Sequence, residues 1–145
     1  MGFAEMKQLQ ILLILVSCAF GLNPVFSKIG HSNGQPWIND LVVDRQGDLF
    51  VLGDFYGDML FDNSYTFSCE SRSAFYAKIA EDGTIYSIDY IDAPTTSLAL
   101  CIDSSDNIYM SGTFSGRIAI GGVDLVSEEK GNIWLTKYTN DLEVE

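Results

Sequence analysis

The sequence predicts an all-β protein whose antiparallel strands form a unit that occurs twice along the chain. The segment Asp44–Gly57 returns as Asp103–Gly116, an offset of 59 residues, and Phe75–Lys78 falls on Trp134–Lys137 at the same offset without a gap. Beyond the first 27 residues, glycine, asparagine, aspartate, β-branched and aromatic residues recur too often for a sustained helical period. The repeat therefore covers a whole supersecondary module of short strands.

The first 27 residues have the layout of a secretory signal peptide. Lys7 precedes an apolar run at 9–22, and the helix-breaking pair Asn23-Pro24 and a small-residue site at 25–27 follow it. The apolar core suits a signal helix, although it is too short to span a bilayer permanently. We expect an exported protein that is secreted, periplasmic or held at the cell surface.

Leu15–Cys18 allows a different interpretation of the same segment, because it resembles the lipobox of bacterial lipoproteins. In that case the signal ends before Cys18, and a lipid on Cys18 anchors the protein. Cleavage after Ser27 and lipidation of Cys18 both fit the export pattern. Contact with a membrane is expected only through the signal segment or such an anchor.

Composition bounds the size and the partners of the protein. The 145 residues leave room for one modest domain after the signal. The formal net charge is −12, and removal of residues 1–27 leaves it unchanged because one acid (Glu5) and one base (Lys7) are lost. A surface of that sign repels phosphate backbones, so we expect no nucleic-acid partner.

Two cysteines, Cys69 and Cys101, follow the signal segment. An oxidising compartment would let them pair only if their backbones came close together. Neither has a cysteine at the equivalent position of the other copy. Cys101 lies in the apolar run 98–102, which predicts a buried free thiol.

Strands and turns alternate through the first copy, which we place at 41–97 after a linker at 28–40. The apolar run Leu41–Asp44 predicts a strand, and the turn at 45–48 reverses it. We expect the next strand to end at Gly53, where a glycine marks a bulge or a close backbone approach. The remaining expected segments are a strand at 59–62, a polar outward loop at 63–71, a strand at 74–79, a turn at 81–83 and a strand at 84–91.

The second copy, at 98–145, repeats these elements as far as the strand at 133–138. By the offset its last strand begins at Glu143, so this copy is truncated. We expect the chain to be a fragment of a longer protein, or else a subunit that forms a ring from several copies. Open sheet edges also predict possible self-association.

Each copy amounts to four or five antiparallel strands in about sixty residues, and such a sheet cannot bury both apolar faces alone. Radial stacking of sheets about an axis solves this problem in β-propellers. The predicted fold is a partial β-propeller of two antiparallel four-stranded blades after the signal helix.

The repeated residues resemble the β-propeller repeats of bacterial exported proteins, often called SBBP repeats. The matching positions are Asp44, Gly47, Asp48, Phe50, Gly53, Phe55, Gly57, Phe75 and Lys78, and in the second copy Asp103, Asn107, Tyr109, Gly112, Phe114, Gly116, Trp134 and Lys137. Asp106 departs from the pattern, since it stands where these repeats have a turn glycine.

The sequence shows no group of residues typical of a catalytic or metal-binding site, so we predict no enzyme, no cofactor and no metal. His31 is the only histidine and lies in the expected linker. Paired carboxylates could act as the catalytic acid and base of a glycosidase, but this requires two carboxylates that face each other. The candidates are Asp40, Asp44, Asp54, Asp58 and Asp62. We expect Asp44 and Asp103 to hydrogen-bond their own turns. Neither loop follows the calcium-binding EF-hand pattern.

Aromatic residues are the remaining candidates for ligand contact. Phe75 and Trp134 occupy equivalent strand positions, which favours packing between blades. Tyr56 and Tyr65 are expected in loops and are the better ligand candidates. The predicted function is an exported non-catalytic module that binds or scaffolds an unknown protein or glycan. The alternative is an N-terminal fragment of a larger secreted or surface enzyme whose active site lies beyond residue 145.

Overall fold

A computed structural model describes residues 30–128 and 131–144 of the chain. The predicted signal segment at 1–27, with Cys18, lies outside the described residues. Every regular element in the described part is a β-strand, and all strand pairs are antiparallel. The all-β prediction is thereby confirmed. No helix in this part is long and apolar enough to cross a membrane.

Ten strands follow one another in the described residues. They are β1 (Gly30–Ser32), β2 (Trp37–Val43), β3 (Leu49–Phe61), β4 (Tyr65–Ile79), β5 (Ile85–Tyr90), β6 (Thr95–Ile102), β7 (Ile108–Phe114), β8 (Arg117–Ile120), β9 (Val123–Val126) and β10 (Asn132–Tyr138). Residues 28–40, expected as a linker, thus contain β1 and the beginning of β2.

The strands form two successive meanders. In the first, β2, β3, β4 and β5 pair in that order, and β1 pairs with the far end of β3. In the second, β6, β7 and β10 form a three-stranded sheet, while β8 and β9 form a hairpin between β7 and β10. We call β2–β5 the first unit and β6–β10 the second unit.

The sequence repeat is also a structural repeat, with the same strand register in both units. Ile38 pairs with Gly53 in the first unit, and Ser97 pairs with Gly112 in the second. A register shift follows directly after Ile38 and again after Ser97. These positions are related by the 59-residue offset. The offset therefore aligns the backbone structure of the two units as well as their sequences.

The prediction of an outward loop at 63–71 is wrong, because β3 and β4 continue through these residues as a long hairpin. Asp62 and Asn63 form its tip with positive φ angles of 49° and 56°. From Tyr65 to Glu70, half-buried or buried residues alternate with exposed ones. This period of two is the pattern of a strand with one packed face. The polar residues occupy only the solvent side.

One face of the first unit packs against the second unit, and we call the contact between them the junction. Its core is made of buried side chains from both units, which come from β3 and β4 of the first unit and from β6, β7, β8 and β10 of the second. Burial of each large side chain contributes about 1.5–3 kcal/mol relative to exposure. They include Phe50, Leu52, Leu100, Ile108, Met110, Phe114, Trp134 and Tyr138.

The opposite face of the first unit forms a separate apolar cluster, which includes Phe55 and Phe75. The far end of the long hairpin belongs to this cluster through Met59 and Phe61, and the rings of Phe61 and Phe75 lie 6.3 Å apart. The hairpin therefore folds back over its own sheet and helps to bury that face.

Gly53 and Gly112 each lie directly beneath an aromatic ring of the neighbouring strand. Phe75 pairs with Gly53, and Trp134 pairs with Gly112. A Cβ at either glycine would lie 2.6 Å from an atom of that ring and would overlap a backbone carbonyl of the strand on the other side. The expected close approach is confirmed at both positions, and it explains why no larger residue fits.

The turns after β2 and β6 are fixed by the aspartate that precedes them. Asp44 Oδ1 accepts hydrogen bonds from the N–H groups of Gln46 and Asp48, both at 2.9 Å. Asp103 Oδ1 accepts from the N–H groups of residues 105 and 107, at 2.7 and 3.0 Å. The predicted turn role of both aspartates is confirmed.

Asp106 replaces the turn glycine and nevertheless adopts the glycine conformation. Its φ is 62°, beside 89° at the equivalent Gly47. Aspartate tolerates this left-handed region better than most residues. Its carboxylate also accepts hydrogen bonds from the guanidinium of Arg45 of the first unit, at 2.7, 3.0 and 3.1 Å. The departure from the repeat pattern thus supplies an ion pair across the junction.

Candidate binding site at the junction of the two units

A buried carboxylate, Asp54, forms the centre of the polar contacts at one end of the junction. It lies on β3 and its side chain is fully buried. Its oxygens accept hydrogen bonds from the N–H and hydroxyl of Ser97, from the amide of Asn39 and from the guanidinium of Arg72. A buried charge is tolerated only when it is paired and hydrogen-bonded in this way.

Arg72 lies over this carboxylate and reaches the surface. One of its terminal nitrogens is 2.6 Å from Asp54 Oδ2, and 46% of its side chain is exposed. Its guanidinium carbon also lies 4.7 Å from the ring centroid of Trp37, a cation–π distance. Trp37 and Asp54 are paired residues of β2 and β3. The guanidinium is therefore held on two sides by the first unit.

A surface cleft of about 210 Å³ opens beside Arg72. Its lining comes from both units and from the segment that joins them. It contains one cation, four hydroxyl side chains and two apolar side chains beside a glycine; the residues are Arg72, Pro94, Thr95, Thr96, Thr113, Phe114, Ser115 and Gly131. The hydroxyls of Thr96 and Thr113 lie 2.6 Å apart and share a hydrogen bond.

The chemistry of this cleft suits polar recognition. Threonine and serine hydroxyls both donate and accept hydrogen bonds, and a guanidinium presents several donors in one plane. Such groups match the hydroxyl and carboxylate groups of a sugar or a peptide. The described lining holds no histidine, cysteine or carboxylate.

Tyr56 and Tyr65 do not lie in loops, which corrects the predicted location. Tyr56 lies within β3, and Tyr65 is the first residue of β4. The chain stays extended here because the long hairpin continues the ladder. Tyr56 is 51% exposed, whereas Tyr65 is half-buried against the outer cluster of the first unit. Tyr65 pairs with Phe61, five residues beyond Tyr56. The two tyrosines are therefore separated by about 16 Å along the strand.

Phe75 and Trp134 have different surroundings despite their equivalent positions. Trp134 lies in the core of the junction, so its predicted packing between units is observed. Phe75 lies on the opposite face of the first unit, in the outer cluster. At the junction the ring of Tyr138 lies 5.5 Å from that of Tyr76. Burial raises the pKa of Tyr76 to about 12.

Four of the carboxylates considered for catalysis, Asp40, Asp44, Asp54 and Asp58, accept hydrogen bonds within the fold. Asp54 is paired as described, Asp44 binds its own turn, and Asp40 Oδ2 accepts the N–H of Leu100 at 2.8 Å. Asp58 accepts a hydrogen bond from the hydroxyl of Ser68. Within residues 30–128 and 131–144, no three potential metal ligands of the histidine, cysteine or carboxylate type lie together.

Both cysteines of the described part are free. Cys69 is buried, and its thiol lies 2.9 Å from the carbonyl oxygen of Ser71. Cys101 lies on β6 but is exposed, so the prediction of a buried thiol is wrong. The second unit presents this face of β6 to solvent, whereas the equivalent Val42 is partly buried against the second unit. His31 lies in β1, where its backbone pairs with Leu60.

Sequence reasoning missed Arg72 and Trp37 and gave Asp54 a different role. By the 59-residue offset, residues 37, 54 and 72 correspond to Thr96, Thr113 and Gly131. Most aligned positions differ between the two copies in the same way, so no sequence signal singles out these three residues.

Comparison of the chain with protein-family models, with curated proteins and with solved structures finds no match.

Proposed function

We propose that this chain is an exported, non-catalytic repeat module of the β-propeller kind that acts by binding or scaffolding. One observation carries the proposal: the two units have the same strand register and pack face to face. Side-by-side stacking of like antiparallel sheets is the principle on which propellers are built.

The two units stack in the same orientation, with opposite faces in contact, and this supports the proposal. Phe50 and Leu52 point from the first unit into the junction, and Leu49 and Val51 point to the opposite face. In the second unit, Ile108 and Met110 point into the junction, and they are the counterparts of Leu49 and Val51. One side of a unit therefore packs on the other side of its neighbour, which is the arrangement that a stack of blades requires.

The cleft beside Arg72 is the proposed ligand site, and its groups favour a glycan or an extended peptide. Its position between units is typical of binding sites, which form where structural elements meet. Arg72 is held by Asp54 and Trp37, so little side-chain entropy is lost when it contacts a ligand. Tyr56 is a further proposed contact, because its ring is exposed on the first unit.

Glycan and peptide arrays probed with the full chain test this proposal. For any ligand that binds, Arg72→Ala is expected to weaken binding at least about tenfold, because a charge-assisted hydrogen bond is lost. Thr113→Val provides a second cleft variant of nearly unchanged shape. Arg117→Ala is the matched control, since Arg117 is an exposed arginine paired with Asp124 on the hairpin of the second unit. It is expected to bind as the unmodified protein does.

Activity assays test the proposal that the module is non-catalytic. The purified chain is expected to hydrolyse none of a panel of fluorogenic glycoside, ester and peptide substrates. Turnover that follows the protein through successive purification steps would overturn the proposal. Binding that Arg72→Ala and Arg117→Ala reduce equally would remove the cleft as its site.

A further inference from the structure

The amine of Lys78, on β4, lies against a single asparagine of the second unit. Lys78 is 7% exposed. Its Nζ lies 2.5 Å from Asn140 Oδ1 and 3.0 Å from the carbonyl oxygen of the same residue. The two residues are 62 positions apart in the chain. A buried amine of one unit and a side-chain amide of the other are therefore in direct contact at the junction.

Aromatic rings surround this amine. The ring centroid of Phe50 lies 5.3 Å from Nζ of Lys78, and that of Tyr86 lies 5.4 Å from it. Phe50 is fully buried in the core of the junction. Little water can reach an amine in these surroundings. Removal of water is one of the ways in which a protein turns a lysine amine into a nucleophile.

Two carboxylates of the turn after β2 complete the group. Asp44 Oδ2 accepts a hydrogen bond from the side-chain amide of Asn140 at 3.0 Å. This contact orients the amide, so its oxygen faces Lys78. Asp48 Oδ2 lies 3.5 Å from Nζ of Lys78, and the side chain of Asp48 is 13% exposed. Asp141 Oδ1 is farther from Nζ, at 4.0 Å, and its side chain is 89% exposed. Asp48 is therefore the carboxylate best placed to exchange a proton with the amine.

The carbon of the Asn140 amide is within reach of the amine. A C=O bond is about 1.2 Å long, so Cγ of Asn140 lies at most about 3.7 Å from Nζ of Lys78. Reacting atoms in near-attack geometries are about 3–3.5 Å apart. A small movement of either side chain would thus bring the amine to the distance at which it attacks the amide.

We propose that Lys78 and Asn140 form an intramolecular isopeptide bond, an amide between Nζ and Cγ. Asp48 accepts one proton from the Lys78 ammonium, and the neutral amine attacks Cγ. A second proton passes from Nζ to Nδ2 of Asn140, the Cγ–Nδ2 bond breaks, and ammonia leaves. Asp48 then gives its proton to the ammonia and is a carboxylate again. The net change is the loss of one ammonium ion, so no oxidant, reductant or other reactant is consumed.

The bond would join the two units covalently. Both cysteines of the described part are free, so no disulfide has this role there. A cross-link between residues 62 positions apart restricts the unfolded chain, as a disulfide does. This inference concerns a group of residues outside the proposed ligand cleft and does not depend on ligand binding.

Mass spectrometry of the full chain tests the proposal. The purified protein is expected to weigh one ammonia less than the sequence between its termini requires. A succinimide at an asparagine causes the same loss of mass, so peptide mapping has to distinguish the two products. After digestion with trypsin we expect a branched peptide that contains both Lys78 and Asn140, without cleavage after Lys78.

Substitutions assign the bond to these residues. Lys78→Arg keeps the positive charge but removes the amine, and Asn140→Ala removes the amide; both variants are expected to have their full mass. Asp48→Asn is expected to slow bond formation about a hundredfold in freshly synthesised protein, because it removes the proton acceptor. Lys137→Arg is the matched control, since Lys137 is the counterpart of Lys78 in the second copy. It is expected to lose ammonia as the unmodified protein does.

Far-UV circular dichroism checks that each variant keeps its strand content. A full mass for the unmodified protein overturns the proposal, and this measurement requires no variant. So does a loss of ammonia without the branched peptide, or a loss that persists in Lys78→Arg. Bond formation at an unchanged rate in Asp48→Asn would overturn the role of Asp48 in the proton transfer.

Discussion

The carboxylate of Asp54 accepts the backbone N–H of Ser97 at 2.7 Å and its hydroxyl at 2.8 Å, and it thereby joins the two units. These contacts connect residues 43 positions apart in the chain. The same carboxylate binds Arg72 and Asn39 of its own unit. One fully buried charge thus ties the second sheet to the cation beside the candidate cleft.

Asp54→Asn is expected to destabilise the protein by about 3 kcal/mol. The substitution keeps the size of the side chain but removes the charge that pairs with Arg72, and it puts an amide donor where four donors already point. Breaking a buried, hydrogen-bonded ion pair on one side costs an amount of this order. Urea unfolding followed by circular dichroism measures it. Asp92→Asn, at an exposed carboxylate, is the control and is expected to stay within about 0.5 kcal/mol. Equal stability of the two variants would contradict the role given to Asp54.

Gly53→Ala and Gly112→Ala are each expected to destabilise the protein by about 1–3 kcal/mol. A methyl group at either position overlaps a backbone carbonyl and forces the ring of Phe75 or Trp134 to move, which is the cost of overpacking. Thermal or urea unfolding measures the change. Gly30→Ala is the matched control, because a Cβ there meets Phe61 at an ordinary 3.4 Å. Its expected change is within about 0.5 kcal/mol. Similar values for all three variants would show that ring packing does not select glycine.

Lys78 and Asn140 form a second link between the units at the opposite end of the junction. Lys78 is buried, and its Nζ donates to the carbonyl oxygen of Asn140 at 3.0 Å and also to its side-chain oxygen. The amide of Asn140 in turn donates to Asp44 Oδ2 at 3.0 Å. The lysine of the repeat pattern therefore has a physical function: it holds the last turn of the neighbouring unit.

A double-mutant cycle with Lys78→Met and Asn140→Ala tests this link. We expect the two changes to be non-additive by about 0.5–3 kcal/mol in the free energy of unfolding, as for residues that share a hydrogen bond. A parallel cycle pairs Lys78→Met with Val126→Ala on β9. Additivity within about 0.5 kcal/mol is expected there. If the first cycle is as additive as the second, Lys78 does not couple the units.

The repeat itself could be predicted from the sequence because local patterns encode it. The turn aspartates, the paired glycines and the aromatic residues opposite them depend on neighbouring strands alone. Their order survives in both copies. The 59-residue offset then places β6, β7 and β10 on the strands of the first unit, and the register agrees residue by residue in the pairs Ile38–Gly53 and Ser97–Gly112.

The polar content of residues 63–71 predicts a loop only when the alternation of these residues is ignored. Tyr65, Phe67 and Cys69 supply a packed face every second residue, and the rings of Phe55 and Phe67 lie 6.3 Å apart. The candidate site could not be predicted for another reason. Arg72, Trp37 and Asp54 come together only through pairing of β2, β3 and β4, and no local pattern records that contact.

Acid is expected to destabilise the protein partly through the turn carboxylate of Asp103. The side-chain amide of Asn107 donates to this carboxylate, and with the N–H groups of the turn and the hydroxyl of Tyr109 it lowers the pKa of Asp103 from 3.8 to about 2. Since the folded state has the lower pKa, this carboxylate stabilises the fold fully above about pH 4. The stabilisation is lost as the pH falls from about 4 to 2.

Asn107→Ala isolates this contribution, because it removes the largest cause of the shift without changing the net charge. We expect Asn107→Ala to be less stable than the unmodified protein at pH 6, and the difference to shrink as the pH falls toward 2.5. Urea midpoints measured between these values give the curve. Ser104→Ala, at an exposed position of the same turn, is expected to show a difference that does not vary with pH. If the difference for Asn107→Ala is also independent of pH, the Asn107 amide does not stabilise the charged form of Asp103.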